Sequence, residues 1–383
     1  MNILKPCLAL AALTLLASCV QINVEALSQD SLDGRNNDTA GSAATQAYLI
    51  NLLKELGAAG LDSNAAGDDA FKQGFTNGTN ILGVIPGTDL ADEYVIIGAH
   101  YDHITHCEIK VPGDTVCNGA TDNAAGVAAA IELGLYLSLP NNEPRRSVIL
   151  AFWDREEDGL LGSLHYVANP LRPLADTVAY INFDILGANL LPSLRNISFA
   201  IGAETGGAGL SAAVQAAVAT RTLDTRQFSA LFGQNRSDYA SFIGVGVPTV
   251  FFSDSTGPCY HTNGDDLSVV DFGKLQHQIA IAWHLTRQLA DGTVTPVFDG
   301  AAPAATYDDA ITLDNLLQLA LSDLDRFTPA QQATAQAHAA TMATLVAEGS
   351  ANFDGADVTT MLLIALEVVA LLTEGDCDGF LAP

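Results

Sequence analysis

Two adjacent glutamates, Glu156 and Glu157, follow an apolar run over 147–152 and begin an acidic turn that continues Asp158-Gly159-Leu160-Leu161-Gly162-Ser163. Like charges this close stay ionised together only when a cation shares them; otherwise one holds a raised pKa. That is the arrangement in which one carboxylate binds a metal and its neighbour moves protons. An isolated Glu-Glu pair is more often a solvated turn, so the weight falls on what else the chain brings to the same place.

Four further segments contribute. An apolar run over 93–99 ends in His100-Tyr101-Asp102-His103. A histidine leaving a buried strand is a candidate metal ligand, and Asp102, two residues on along an extended chain, can accept the other imidazole N–H and fix the tautomer. The turn Gly119-Ala120-Thr121-Asp122-Asn123 offers one carboxylate before a helix, which capping would also explain. Asn182-Phe183-Asp184 ends an apolar strand on a carboxylate that is costly to bury unpaired. Tyr260-His261-Thr262 lies in a loop after a run over 249–252. Together these are two histidines and four carboxylates, a ligand set for two divalent cations plus one free base.

The elements that must position them alternate. Strands are expected over 80–85, 93–99, 147–152, 178–183, 197–201 and 249–252, and helices over 42–56, 124–139, 160–167, 208–220, 239–243 and 269–289. This order implies an α/β fold of three layers, αβα, with a mostly parallel central sheet, helices on both faces, and ligands beyond the carboxyl ends of the strands. Residues 293–306 read as a Pro- and Ala-rich linker and 307–383 as a C-terminal helical appendage without chemistry of its own. Its apolar run Met361 to Leu372, broken by Glu367, reads as too short and too acid-flanked for a membrane span.

Residues 1–18 carry a positive start, a short apolar core and the ending Leu16-Ala17-Ser18-Cys19. That ending resembles the bacterial lipobox. The resemblance implies a lipoprotein signal peptide, cleavage before Cys19 and acylation there, with Val20 pointing to the outer membrane, facing periplasm or exterior. Residues 19–41 then read as a polar tether. Against 44 Asp plus Glu stand 16 Lys plus Arg, a net charge of −28. This excludes nucleic acid as a partner and leaves the lipid as the only link to a membrane. In an oxidising compartment the four remaining mature cysteines allow three pairings. Cys107 and Cys117 bracket a short loop whose closure contributes roughly 2–3 kcal/mol, which leaves Cys259 with Cys377.

The motifs Gly98-Ala99-His100-Tyr101-Asp102-His103, Gly119-Ala120-Thr121-Asp122-Asn123, Glu156 through Ser163, Asn182-Phe183-Asp184 and Tyr260-His261-Thr262 occur in that order. Jointly they resemble the two-zinc aminopeptidases of the secreted bacterial leucyl aminopeptidase type, over a catalytic domain of 42–292. The resemblance implies two zinc ions, with His100 and Asp184 on one, Glu157 and His261 on the other, and Asp122 bridging. It leaves Glu156 as general base, makes Asp102 the residue that orients His100, and implies a cis Asp122-Asn123 bond. Peptides are the implied substrates. A carboxypeptidase or dipeptidase, a glutaminyl cyclase and a non-catalytic scaffold are the alternatives on the same frame. His103 and His106 depart from the pattern and are expected outside the ligand set, at its periphery or on the surface. Ser237 or Asp238 is expected to cap a helix.

Overall fold

The computed structural model describes residues 13–37 and 39–377, so most of the expected leader over 1–18 lies outside the described residues. Alternation along the central strands sets the architecture. In β4 (Leu90–His100), Val95, Ile97 and Ala99 enter one core and Ile96 the other. β5 (Arg146–Trp153) repeats the split, with Val148, Leu150 and Phe152 against Ile149, Ala151 and Trp153, and so does β6 (Thr177–Phe183). Strands that are apolar on both sides need cover on both.

The remaining strands are β1 (Ala59–Gly60), β2 (Lys72–Phe75), β3 (Gly78–Ile85), β7 (Ile197–Ile201), β8 (Asp224–Phe228) and β9 (Thr249–Ser253). One nine-stranded sheet results, in the order β1-β3-β5-β4-β6-β9-β7-β8, with β2 also paired to β3. Its centre, β5-β4-β6-β9, is parallel, whereas β3 runs antiparallel to β5 and β7 antiparallel to β9. The sheet is therefore mixed rather than mostly parallel. The antiparallel pairing of β2 with β3 has a local cause: Phe75 pairs with Gly78, leaving the two-residue loop Thr76-Asn77 with Asn77 at φ 56°, and so tight a loop joins only antiparallel strands.

One face carries α1 (Leu13–Leu27), α2 (Ala40–Glu55), α3 (Ala125–Ser138), α5 (Gly207–Val218) and α7 (Phe272–Ala290), which bury Val24, Leu49, Ile131, Leu210 and Leu285. The other carries α4 (Leu161–Ala168), α6 (Tyr239–Ile243) and the helices of the appendage, α8 (Tyr307–Ala320), α9 (Pro329–Glu348) and α10 (Gly355–Thr373). Leu313, Met342 and Met361 of the appendage share one core with Trp153, Tyr180 and Phe242.

Two expectations change here. Residues 19–41 are not a tether: Val20, Val24 and Leu27 of α1 are buried, and the Arg35 side chain is 1% exposed. Their spacing of four and three is a helical stripe, overlooked because polar residues surround it. Cys19 sits buried within α1, in a disulfide whose partner lies outside the described residues. The apolar run in the appendage is also longer than expected, since α10 has the length and composition to cross a membrane. Met361, Ile364 and Leu372 nevertheless pack inward, while Leu363 and Leu366 stay exposed. Residues 293–306 are irregular, as expected of a linker. Both expected disulfides, Cys107–Cys117 and Cys259–Cys377, form.

Candidate metal centre

Register decides where the chemistry gathers. His100 pairs with Trp153 across β4 and β5, and Gly98 with Asn182 across β4 and β6. The strands therefore end level, and His100, Glu156-Glu157 and Asp184 leave the sheet at one edge. His261 reaches them from the long loop after β9, which adds a parallel bridge between Glu108 and Thr262.

His100 Nε2 lies 3.1 Å from Asp184 Oδ1 and 3.3 Å from Asp122 Oδ1. His261 Nε2 lies 2.9 Å from Glu157 Oε2 and 3.3 Å from Asp122 Oδ2. Asp122 thus turns one oxygen to each histidine. It caps no helix, and the Asp122-Asn123 peptide is cis, as the motif resemblance implies. Gly119 starts this turn at φ 56°, where a Cβ would collide with the Asp122 carbonyl and the His103 ring. Arg155, next to Glu156, Ile185, next to Asp184, and His261 itself also hold positive φ of 58°, 58° and 55°. Non-glycine residues in that region cost of order 1 kcal/mol or more each, and such residues cluster at functional sites.

Several roles differ from expectation. His100 Nδ1 meets the Asp102 backbone carbonyl at 3.1 Å, with the Asp102 carboxylate farther away at 3.7 Å. That carboxylate instead accepts the backbone N–H groups of Glu156 and Glu157 at 3.1 and 3.3 Å. Asp102 therefore positions the glutamate pair as well as the histidine. His103 is fully buried, its Nδ1 2.9 Å from Glu157 Oε1 and its Nε2 without a hydrogen-bond partner among the described residues, whereas His106 is exposed and its one hydrogen bond among them is with Thr105. Neither residue expected to cap α6 does so: Ser237 Oγ accepts from Asn182 Nδ2, and Asp238 makes no capping bond. Burial pushes the Asp238 carboxyl up to about 7.

Three supports escape a sequence reading. Asp265 accepts the N–H groups of Thr121 and Asp122 and the Thr121 hydroxyl, fixing the cis turn. Arg35 donates to the carbonyls of Tyr101 and Gly119, and Asn36 to that of His103. Lys110 Nζ donates to the carbonyls of Pro258, Thr373 and Gly375. A Lys, an Arg or an Asp far from the motif is silent until the chain has folded.

The electrostatics ask for positive charge. Burial raises Asp122, yet hydrogen bonds from His100 and His261 hold it well below the usual carboxylate range. Burial likewise lowers His261, but Asp122 and Glu157 prevail and hold it at about 10. Glu156 stays raised, burial outweighing the attraction of His100. Ligand atoms of His103, Asp122, Glu157 and His261 all lie within 4.8 Å of one another, as do those of His100, Glu156 and Asp184. Imidazole nitrogens and carboxylate oxygens gathered in two such groups fit two zinc ions.

Comparison with known proteins agrees with this geometry. The model of the family described as Peptidase family M28 matches residues 80–286, more than half of the chain. The aminopeptidase NAALADL1 of Rattus norvegicus is 30% identical over 65% of this chain and 35% of its own length. The probable glutamate carboxypeptidase LAMP1 of Arabidopsis thaliana is 32% identical over 57% and 33%. The chain thus spans about a third of these relatives. Leupeptin-inactivating enzyme 1 of Streptomyces exfoliatus is 23% identical over 78% and 69%. Among solved structures, Porphyromonas gingivalis glutaminyl cyclase superposes with a TM-score of 0.57 at 19% identity, covering 71% of this chain and 98% of its own. The Legionella pneumophila LapA aminopeptidase gives 0.55 at 16%, covering 73% and 74%. These two likenesses show the fold.

Proposed function

The chain belongs to peptidase family M28, and we propose from that premise that it is a zinc-dependent metallopeptidase acting as an aminopeptidase on peptides. His100 and Asp184 would hold one zinc and Glu157 and His261 the other, with Asp122 turning one oxygen to each histidine, a reading these contacts support. When bound, two zincs supply a water of lowered pKa and a polarised scissile carbonyl. Among the described residues Glu156 is the one carboxylate of the four that forms no ion pair with a histidine, which suits it to take the water's proton and return it to the leaving amine. Asp102 holds the Glu156 backbone in place, and His103 steadies Glu157.

The observation that carries the preference for an amino end is the lining of the pocket over these residues. Asp122, Glu156, Glu157 and Asp184 line it with a single cation, Arg236, whose guanidinium lies 5.4 Å from the Tyr260 ring centroid. With Asp122, Glu157 and Asp184 given to metal, Glu156 is left to meet a substrate ammonium and Arg236 to meet a substrate carboxylate. Arg236 is also the specific observation favouring the second reading, a carboxypeptidase or dipeptidase. The test is metal content by plasma mass spectrometry beside hydrolysis of free, N-acetylated and C-amidated peptides. Close to two zincs, with activity that requires a free N-terminus and ignores C-amidation, supports the aminopeptidase. Activity lost on C-amidation moves the assignment to the carboxypeptidase, and one zinc with cyclising activity moves it to a glutaminyl cyclase.

We also propose a cell-envelope location through acylation of Cys19. Cleavage before that residue spares the buried contacts of Val20, Val24 and Leu27, though Cys19 must leave both its buried position and its disulfide for its thiol to be acylated.

A further inference from the structure

After Asp184 the chain makes a tight loop, Ile185 to Ala188, held by a buried polar cluster that the proposed mechanism does not use. Asp254, directly after β9, is fully buried, and its Oδ1 lies 3.0 Å from Lys274 Nζ. Lys274 and Gln278 are four residues apart and so share one face of α7. Gln278 Nε2 donates to Asp254 Oδ1 at 2.9 Å and to Ser198 Oγ of β7 at 2.8 Å. All four side chains are buried.

A buried ion pair is weak evidence for stability, because desolvation offsets much of its attraction. What this one holds is the loop. Asp254 Oδ2 accepts the Ala188 N–H at 2.9 Å, Lys274 Nζ donates to the Ala188 carbonyl at 2.6 Å, and Gln278 Oε1 accepts the Gly187 N–H at 3.0 Å. The Asp271 N–H donates to the Gly187 carbonyl at 2.8 Å. These groups cannot join a strand ladder, since Ile185 and Gly187 sit at φ 58° and 69° and break the extended path of β6. Ile185 is β-branched, so its conformation is strained and persists only where the surroundings fix it. Before the turn, the Asp184 N–H donates to the Phe252 carbonyl at 3.2 Å and the Asp254 N–H to the Ile185 carbonyl at 2.7 Å. The loop is thus pinned on both sides of the turn that follows Asp184.

We propose that Asp254, Lys274 and Gln278 are positioning residues for Asp184, and that through it they set how tightly the zinc of His100 and Asp184 is held, independently of the zinc of Glu157 and His261. The proposal rests on the two-zinc reading. Independence follows from the anchors of the second pair. His261 lies seven residues beyond Asp254, but the Glu108 N–H donates to its carbonyl at 2.9 Å, and Cys259 is bonded to Cys377. Glu157 is held through Asp102. Neither anchor touches the cluster.

The test uses the full chain stripped of metal and equilibrated at buffered free zinc concentrations, with bound zinc per chain counted by plasma mass spectrometry. The wild type should fill in two steps, and Asp184→Asn should remove one of them and so identify it. Lys274→Met should weaken that same step about 10- to 100-fold, the usual effect of removing a group that holds a ligand in place, and leave the other within about threefold. In the Asp184→Asn background, Lys274→Met should leave the remaining step unchanged, because the two substitutions act on one site; a general loosening of the fold would weaken that step as well. Gln278→Leu removes the bond to Gly187 without stranding a charge and should weaken the same step, so it decides the question if Lys274→Met does not fold. In a folded variant, both steps weakened alike, neither weakened, or only the other one weakened overturns the proposal while leaving the two zincs in place. A wild type that binds fewer than two zincs overturns the two-zinc reading, and the proposal with it.

Discussion

Replacing Arg35 with Met tests whether the N-terminal segment belongs to the metal centre. Its guanidinium donates to Tyr101 O at 2.8 Å, to Asn118 O at 2.7 Å, to Gly119 O at 3.0 Å and to Leu27 O. Tyr101 follows one ligand, His100, and Gly119 begins the turn that carries another, Asp122. Burial lowers the Arg35 pKa to about 10, with Asp122 the largest opposing influence, so the side chain stays charged at neutral pH. Hydrogen bonds from a charged donor are worth about 1.5–3 kcal/mol each, but the cost of burying the guanidinium offsets part of their sum. Truncation leaves four carbonyls without their donor, and the net loss should be ~3–5 kcal/mol, a large share of the roughly 5–15 kcal/mol that holds a domain. Urea unfolding of the zinc-free protein measures it. Chelator competition on the folded variant measures the second consequence, a zinc affinity about 10- to 100-fold weaker, the usual cost of losing a group that holds a ligand. Arg35→Lys should recover part of both. A stability loss under about 1 kcal/mol with zinc affinity unchanged would refute the reasoning, and would leave residues 19–37 packed on the sheet without a part in the metal centre.

Glu156→Gln should lower kcat by about 10²–10⁴-fold while zinc content stays that of the wild type, as general-base loss does; wild-type turnover in that variant would remove Glu156 from the mechanism. Glu132, buried in α3, is pushed up to about 7 from 4.5 by burial, with a hydrogen bond from Tyr136 opposing. A raised carboxyl keeps its proton in the folded chain after the unfolded chain has released it, so its stability is whole below about pH 4.5 and is lost as pH rises through 7. The loss approaches ~3 kcal/mol, and Glu132→Gln should unfold at higher urea than wild type at pH 8 but not at pH 4.5; the same offset at both pH values would show a packing effect instead. Intact mass of the chain recovered from membranes should begin at Cys19 and carry acyl groups, and an unmodified chain starting upstream of Cys19 would end the lipid-anchor proposal.

The central strands and the clustering of the proposed ligands were legible because their signals are local. A buried parallel strand is a continuous apolar run, and a ligand at its end is one polar residue after that run, so His100, Glu157 and Asp184 announce themselves within a few positions. The expected strand over 197–201 coincides with β7 for the same reason. What stayed hidden depends on contacts far apart in the chain. β8 reads Asp-Thr-Arg-Gln-Phe, too polar to signal a strand, and forms because the edge of β7 offers it a parallel partner. α1 hides its apolar stripe behind Gln21, Asn23 and Glu25, and only the face left open beside α3 and α7 gives that stripe somewhere to go. Arg35, Asp265 and Lys110 act through backbone carbonyls and N–H groups, which every residue carries, so nothing in the sequence marks their targets. The same limit applies to the appendage. Its helices were legible from caps and apolar spacing, but that Val369 lines the metal pocket follows from the Cys259–Cys377 bond and the shared core with Trp153, neither of which a helical pattern contains. Chemistry at strand ends can therefore be read before folding. The groups that hold that chemistry in place come into view only in three dimensions.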